Sequence, residues 1–145
     1  MAGTYIDGNY SGHGFLYSRG KYTTLDVVPG QCCTSAFSIN DSGHVAGTYN
    51  DGGDHGFVYS RGKFTTFDFP GSNGGQLDAS SINEKGQVAG RYYAGSRYYG
   101  FVASPFPTRM KDCEKEGWKS YDFKNQRQCI QFVNTRDDHG DHGYE

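Results

Sequence analysis

Through residues 1-104 the apolar residues come in short alternating runs, broken by polar turns that contain glycine. In the run from Lys63 to Phe69, Phe64 lies on one face, while Phe67 and Phe69 point to the other. Tyr22 opposes Leu25 and Val27 in the same way in an earlier run. Apolar residues on both faces predict a sheet covered on both sides. Asn40-Asp41-Ser42-Gly43 and Asn83-Glu84-Lys85-Gly86 begin with Asn and end with Gly, which suits a type I turn. Arg61-Gly62 reads as a short hairpin loop between the strands Gly56 to Ser60 and Lys63 to Phe69. The pattern predicts four short strands per turn-bounded unit.

The unit repeats. Ala2-Gly3-Thr4-Tyr5 returns as Ala46-Gly47-Thr48-Tyr49, and in altered form as Ala89-Gly90-Arg91-Tyr92, at offsets of 44 and 43 residues. The run from His13 to Asp26 returns 42 residues later as His55 to Asp68, and a degraded third copy starts at Tyr99-Gly100-Phe101-Val102. Ser38-Ile39-Asn40-Asp41 matches Ser81-Ile82-Asn83-Glu84. A fixed period in this range signals stacked structural units. The expected fold is therefore all-β: tandem four-stranded antiparallel meanders, arranged as a propeller-like or an open array. Met1 falls inside a unit, so the chain is expected to be a fragment of a longer array. An open array leaves edges and one sheet face uncovered, and self-association is the expected consequence.

Composition narrows the partners. There are 14 Lys and Arg against 16 Asp and Glu, a net charge of -2, so no field favours nucleic acid or an anionic membrane. Nothing approaches the roughly 18 consecutive apolar residues of a membrane span. The 22 glycines and the abundance of Tyr and Phe suit turn-rich β structure. The four cysteines, Cys32, Cys33, Cys113 and Cys129, match no zinc spacing.

The runs Ile39-Asn40-Asp41-Ser42-Gly43-His44-Val45-Ala46-Gly47 and His55-Gly56-Phe57 resemble the bacterial extracellular HAF-repeat family, whose units pass from an Ile-Asn-Asp-x-Gly-x-Val-x-Gly turn and strand to a His-Ala-Phe element. The resemblance covers residues 1-104. Gly56 stands where the family has Ala, and Tyr99 replaces His in the last copy, which reads as a divergent cap. The resemblance implies an exported protein at the cell surface or outside the cell, and implies no activity.

After a Pro-containing linker over 105-110, residues 111-134 look like a short two-cysteine module found at the ends of secreted bacterial proteins, followed by a polar tail over 135-145. Asn125 is a candidate N-cap, and Cys129, Phe132 and Val133 share one face of a short helix that would meet Trp118. The module holds two cysteines flanking its tryptophan, so local pairing of Cys113 with Cys129 is the simplest solution, and a disulfide implies an oxidising compartment. Cys32 and Cys33 are adjacent, a strained arrangement for a bond, so free or intermolecular thiols are expected there.

His13 and His55 invite a catalytic role, but they hold the same slot in successive units, which favours a structural one. Asp26 and Asp68 also recur and are expected to bond to turns. No catalytic residue and no metal ligand is assigned. The loops Asp7-Gly8-Asn9 and Asn50 to Asp54 offer oxygens for Ca²⁺, but they lack the spacing of a known calcium loop and use the residues of any hairpin turn. The acidic and histidine-containing tail Asp137 to His142 could hold a metal, although a polar terminus of this kind is more often simply mobile. Tyr92, Tyr93, Tyr98 and Tyr99 form the candidate binding surface, because clustered tyrosines present flat apolar area with a polar rim. The leading reading is a non-enzymatic scaffold or adhesion protein whose partner is a glycan or a cell-surface protein. The alternatives are a carbohydrate-binding module using those tyrosines, and part of a hydrolase whose catalytic residues lie elsewhere.

Overall fold

A computed structural model describes residues 1-69, 75-105, 110-116 and 124-137. The chain divides into two compact units, Met1–Pro105 and Phe106–Glu145. Pro107 of the linker, Trp118 and the tail beyond Asp137 lie outside the described residues, as does the side chain of Phe132.

Among its described residues the first unit holds ten strands: β1 (Ala2–Ile6), β2 (Gly12–Ser18), β3 (Lys21–Leu25), β4 (Thr34–Ile39), β5 (Val45–Asn50), β6 (Asp54–Ser60), β7 (Lys63–Phe67), β8 (Leu77–Ile82), β9 (Val88–Ala94) and β10 (Arg97–Ala103). They form three antiparallel sheets, ordered β1-β2-β3, β4-β5-β6-β7 and β10-β9-β8. Strand β7 stops at Phe67, two residues short of the reading from sequence, and Asp68 and Phe69 leave the ladder. Register repeats with the sequence. Phe15 pairs with Thr24 and Tyr17 with Tyr22 in the first sheet, as Phe57 pairs with Thr66 and Tyr59 with Phe64 in the second. Both the second and third sheets carry a bulge in the leading strand, between Ala36 and Ser38 and between Ala79 and Ser81.

Turn chemistry explains the punctuation. Arg19-Gly20 and Arg61-Gly62 both adopt positive φ, +51° and +78° in the first pair and +49° and +84° in the second. That is the type I′ geometry whose twist matches a hairpin. At the Ile-Asn turns, the side-chain oxygen of Asn40 accepts from the His44 amide and that of Asn83 from the Gln87 amide, both at 2.9 Å. The same turns stack on one another across sheets. Asn40 Nδ2 donates to the Asn83 carbonyl at 2.9 Å, and the Asp41 amide donates to Glu84 Oε1 at 2.9 Å.

Alternation along the strands splits each sheet into two faces. We call leading the face turned to the preceding sheet and trailing the face turned to the next. On the leading face of the second sheet, Ala36, Val45 and Phe57 are buried in one cluster with Leu25 of the first sheet, and Ala2 and Leu16 pack against them. On its trailing face, Ala46 and Val58 are 0% exposed, with β8 of the third sheet against β5 and β6. Phe67 on this trailing face meets Phe101 at 6.0 Å between ring centroids. The same two faces therefore meet twice.

The glycine of the Ala-Gly-Thr-Tyr strand is required by this packing. A Cβ on Gly47 would lie 2.8 Å from the Phe57 ring and would also collide with the Ser35 carbonyl. Gly90 stands in the same relation to Phe101 and the Asp78 carbonyl, and Gly3 to Phe15. The phenylalanine ring lies over the missing side chain.

In the second unit, a 3-10 turn over Met110–Cys113 precedes helix α1 (Gln126–Asp137). Cys113 and Cys129 are disulfide-bonded, with Cα atoms 5.7 Å apart, and are buried with Val133 while Ile130 packs beside them. Asn125 caps the helix: its side-chain oxygen accepts from the Gln128 amide at 3.0 Å, and Gln128 Oε1 reaches back to the Lys124 amide at 3.1 Å. Cys32 and Cys33 are bonded to each other, not left as free or intermolecular thiols. At this pair Cys33 adopts φ +81°. Its amide is held by the Gly12 carbonyl at 2.7 Å, and its carbonyl by the Asn50 amide at 3.0 Å.

Gly47→Ala is expected to cost about 1–3 kcal/mol, the usual penalty of overpacking against backbone, measured as a lower urea midpoint at unchanged slope. Gly8→Ala, where nothing lies within 4 Å of the added carbon, serves as the control and should stay within about 0.5 kcal/mol of the parent.

Candidate functional site

The most concentrated polar chemistry lies beside the hairpin of β1 and β2, and again beside that of β5 and β6. His13 Nδ1 faces Asp26 Oδ1 at 2.9 Å, and its Nε2 faces Asp7 Oδ2 at 3.3 Å. His55 repeats the arrangement, with Nδ1 at 2.5 Å from Asp68 Oδ1 and Nε2 at 2.8 Å from Asp51 Oδ1. A tyrosine lies on each imidazole: Tyr5 on His13 with centroids 5.2 Å apart, and Tyr49 on His55 at 5.1 Å. Strand pairing dictates this, since Tyr5 is the register partner of His13 and Tyr49 that of His55.

A ring with a carboxylate on each nitrogen satisfies both contacts only when both nitrogens carry protons, so the geometry favours the imidazolium. The Asp26 hydrogen bond, followed by that of Asp7, raises the pKa of His13 above its ordinary 6.5. Burial pulls His55 down, but the Asp68 hydrogen bond and the charges of Asp68 and Asp51 outweigh it, and its pKa is raised as well. Asp7 is held below the ordinary 3.8, first by the Ser11 and Asn9 amides bonded to its Oδ1 and then by His13. Desolvation, then the charges of Asp51 and Asp68, pushes Tyr49 upward.

These contacts correct the expectation for Asp26 and Asp68. Each lies just past the last strand of its sheet, Asp26 after β3 and Asp68 after β7, and bonds to an imidazole of the same sheet rather than to a turn. The sequence reading missed Asp7 and Asp51 as partners of the histidines. A signal for them was present: the third unit has Tyr99 in the histidine slot and Ala94 in the aspartate slot, so both members change together. Tyr92 then stacks on Tyr99 at 5.5 Å, as tyrosine stacks on histidine in the other two sheets.

Several of the oxygens considered for Ca²⁺ are engaged locally. Asp7 bonds two amides and His13, and Asn50 bonds Asp54 and the Gly52 amide. Among the described residues no group of three or more His, Cys, Asp or Glu is arranged to hold a metal ion. None of the helices among the described residues is long and apolar enough to cross a membrane.

The four candidate tyrosines fall on opposite faces of the third sheet. Tyr92 is stacked between Phe69, 5.0 Å away and 10° from parallel, and Tyr99, which places both tyrosines on the leading face. Tyr93 and Tyr98 pair edge to face at 5.0 Å on the trailing face, where they are 39% and 51% exposed. Arg91 lies 4.8 Å over the Tyr98 ring and is fixed by Asp78 at 2.8 Å, and Tyr98 also bonds Gln76. An open depression lined by Phe37, Asp78 and Ser80 lies beside this group.

No family model, no curated protein and no solved structure matches the chain.

The histidine bridges set a pH dependence. A group whose folded pKa is raised stabilises fully below its unfolded value, here 6.5, and loses that contribution as pH rises through the folded value. Asp7, with a depressed pKa, acts in the other direction, and its contribution disappears as pH falls below 3.8. The thermal midpoint of the β unit should thus be higher at mildly acidic pH than at alkaline pH. In a His13→Gln/His55→Gln chain the decline above pH 6.5 should flatten in the same scanning calorimetry series.

Proposed function

We propose that this chain is a non-enzymatic scaffold or adhesion protein, exported from the cell and of the HAF-repeat type, with a glycan or a cell-surface protein as its partner. One observation carries the reading. The chemically competent histidines recur in equivalent slots of two sheets, and both nitrogens of each ring are occupied by carboxylates of the same sheet. A general base must present a free nitrogen to substrate, whereas a clamp that holds the end of a meander can recur from one unit to the next, as this one does in the first two sheets. The regular stacking of meanders supports a blade-like, propeller-type array. The two disulfides and the resemblance at Ile39 to Gly47 support an oxidising, extracellular setting.

A carbohydrate-binding reading is favoured by one further observation. Tyr93 and Tyr98 form an exposed aromatic pair beside a fixed Arg91–Asp78 ion pair. Aromatic rings with adjacent hydrogen-bonding groups suit the apolar face and hydroxyls of a sugar.

Glycan-array binding of the full chain separates the two. Signal that disappears in Tyr93→Ala/Tyr98→Ala, while the circular dichroism stays that of the parent, would make the trailing face a sugar site. Signal that survives the change would remove that role. For the clamp, fully folded His13→Gln/His55→Gln protein should keep any surface binding of the parent in proportion to its folded fraction. Loss of a hydrolytic activity in that variant at unchanged fold would overturn the non-enzymatic reading.

A further inference from the structure

We propose that the Cys32–Cys33 disulfide is a redox-active site that exchanges with low-molecular-weight thiols, and that its reduction releases a backbone tie between the first and second sheets. This goes beyond the scaffold reading, because it concerns a covalent state of the chain rather than the partner it holds.

Three features separate this bond from the other disulfide. Cys32 and Cys33 are both exposed, whereas Cys113 and Cys129 are 0% exposed. Access to a sulfur is the first requirement of exchange with a thiolate. Neighbouring residues stand only about 3.8 Å apart, short of the roughly 4.4–6.8 Å that disulfides ordinarily span. The bond between them therefore closes a small ring through their own peptide unit, and exposed or confined disulfides are the ones that thiols open most readily. It also contributes little as a staple. A cross-link stabilises by closing a loop of the unfolded chain, and adjacent residues enclose almost none, against a separation of 16 for Cys113 and Cys129.

The repeat supplies an internal comparison. The connection from β7 to β8 carries Gly75 and Gln76 in the slots of Cys32 and Cys33. The Gln76 carbonyl accepts from the Tyr93 amide at 2.8 Å, as the Cys33 carbonyl accepts from the Asn50 amide at 3.0 Å. That bond is thus made without a cysteine, and Gln76 makes it without the positive φ that Cys33 adopts. With φ at +81°, the Cys33 amide donates to the Gly12 carbonyl at 2.7 Å, which joins β2 of the first sheet to the residue leading into β4 of the second. Gly12 directly precedes His13, so the tie lies beside the first histidine bridge.

In the exchange an external thiolate attacks one of the two sulfurs. The Cys32–Cys33 bond breaks as a mixed disulfide forms, and the displaced sulfur leaves as a thiolate that takes a proton from water. A second external thiolate then displaces the first as a low-molecular-weight disulfide, and the remaining cysteine is protonated in turn. Two external thiols are oxidised to one disulfide while Cys32 and Cys33 are reduced to two thiols. The bonded form is the resting state in an oxidising setting. Once the ring is open, Cys33 is a residue with a side chain at positive φ and no covalent constraint, a conformation that such residues avoid. Relaxation to the backbone of Gln76 keeps the bond to Asn50 and turns the Cys33 amide away from Gly12.

The test equilibrates the full, oxidised chain with graded ratios of glutathione to glutathione disulfide, and reads each pair by alkylation and peptide mass spectrometry. Cys32 and Cys33 should become reduced at a ratio at least about tenfold less reducing than the one that opens Cys113–Cys129. At that ratio, amide hydrogen exchange followed by NMR should show the Cys33 amide losing protection by at least about tenfold, while the Tyr93 amide keeps its own. Reoxidation should restore the protection. A Cys32→Ser/Cys33→Ser chain with parental circular dichroism should show the low protection at position 33 at every ratio. Three results would overturn the proposal: both disulfides opening at the same ratio, a reduced pair whose Cys33 amide stays as protected as before, or parental protection at position 33 in the serine variant.

Discussion

Face-to-face packing between successive sheets is the contact on which the rest of the β unit depends. Phe57 reaches across from the second sheet to Leu25 of the first, and it can lie flat against its own sheet only because Gly47 offers no side chain beneath it. Burying a phenylalanine of this kind is worth roughly 1.5–3 kcal/mol relative to leaving it exposed, and no single three- or four-stranded meander has a second face of its own to provide that burial. A sheet in this chain is therefore a partner for its neighbours before it is a stable object. Repetition of the glycine, the phenylalanine and the small aliphatic floor follows from that dependence.

The polar features secure the ends of this stack. Ile-Asn turns of adjacent sheets are tied by Asn40 to Asn83 and by Asp41 to Glu84. The histidine bridges gather the β1-β2 and β5-β6 hairpins onto the residues just past β3 and β7. Both are polar networks in which donors meet acceptors of the same chain, which lets them lie partly buried without a desolvation penalty large enough to open the fold. In the third sheet Tyr99 takes the histidine slot and stacks on Tyr92, replacing a charged bridge by an aromatic one. The geometry of the strand pair survives the change of chemistry because the register, not the charge, brings the two positions together.

Much of this was legible in the sequence. The Arg-Gly loops and Asn-to-Gly turns marked the hairpins, and apolar residues on both sides of Lys63 to Phe69 implied a sheet sandwiched between others. The repeat offsets identified which residues are equivalent. Less legible were the partners of Asp26 and Asp68, because strand periodicity says which face a residue occupies but not which loop folds over its end. The bond between Cys32 and Cys33 was unexpected for a similar reason. Cys33 has a positive φ and is hydrogen-bonded to Gly12 and Asn50, contacts across the fold that local sequence does not reveal. The tyrosines appeared as one cluster in the sequence, but a two-residue turn at Gly95-Ser96 pairs Tyr92 with Tyr99 and Tyr93 with Tyr98, on opposite faces.

The central claim is that successive sheets pack face to face through equivalent strands at both internal interfaces. Nuclear Overhauser contacts in the full chain test it most directly. The account predicts contacts from the Phe57 ring to the Leu25 methyl groups and from the Phe101 ring to the Phe67 ring, one pair for each of the two internal interfaces. Finding either pair without contact, with Phe57 or Phe101 instead reporting to residues of its own sheet alone, would contradict it.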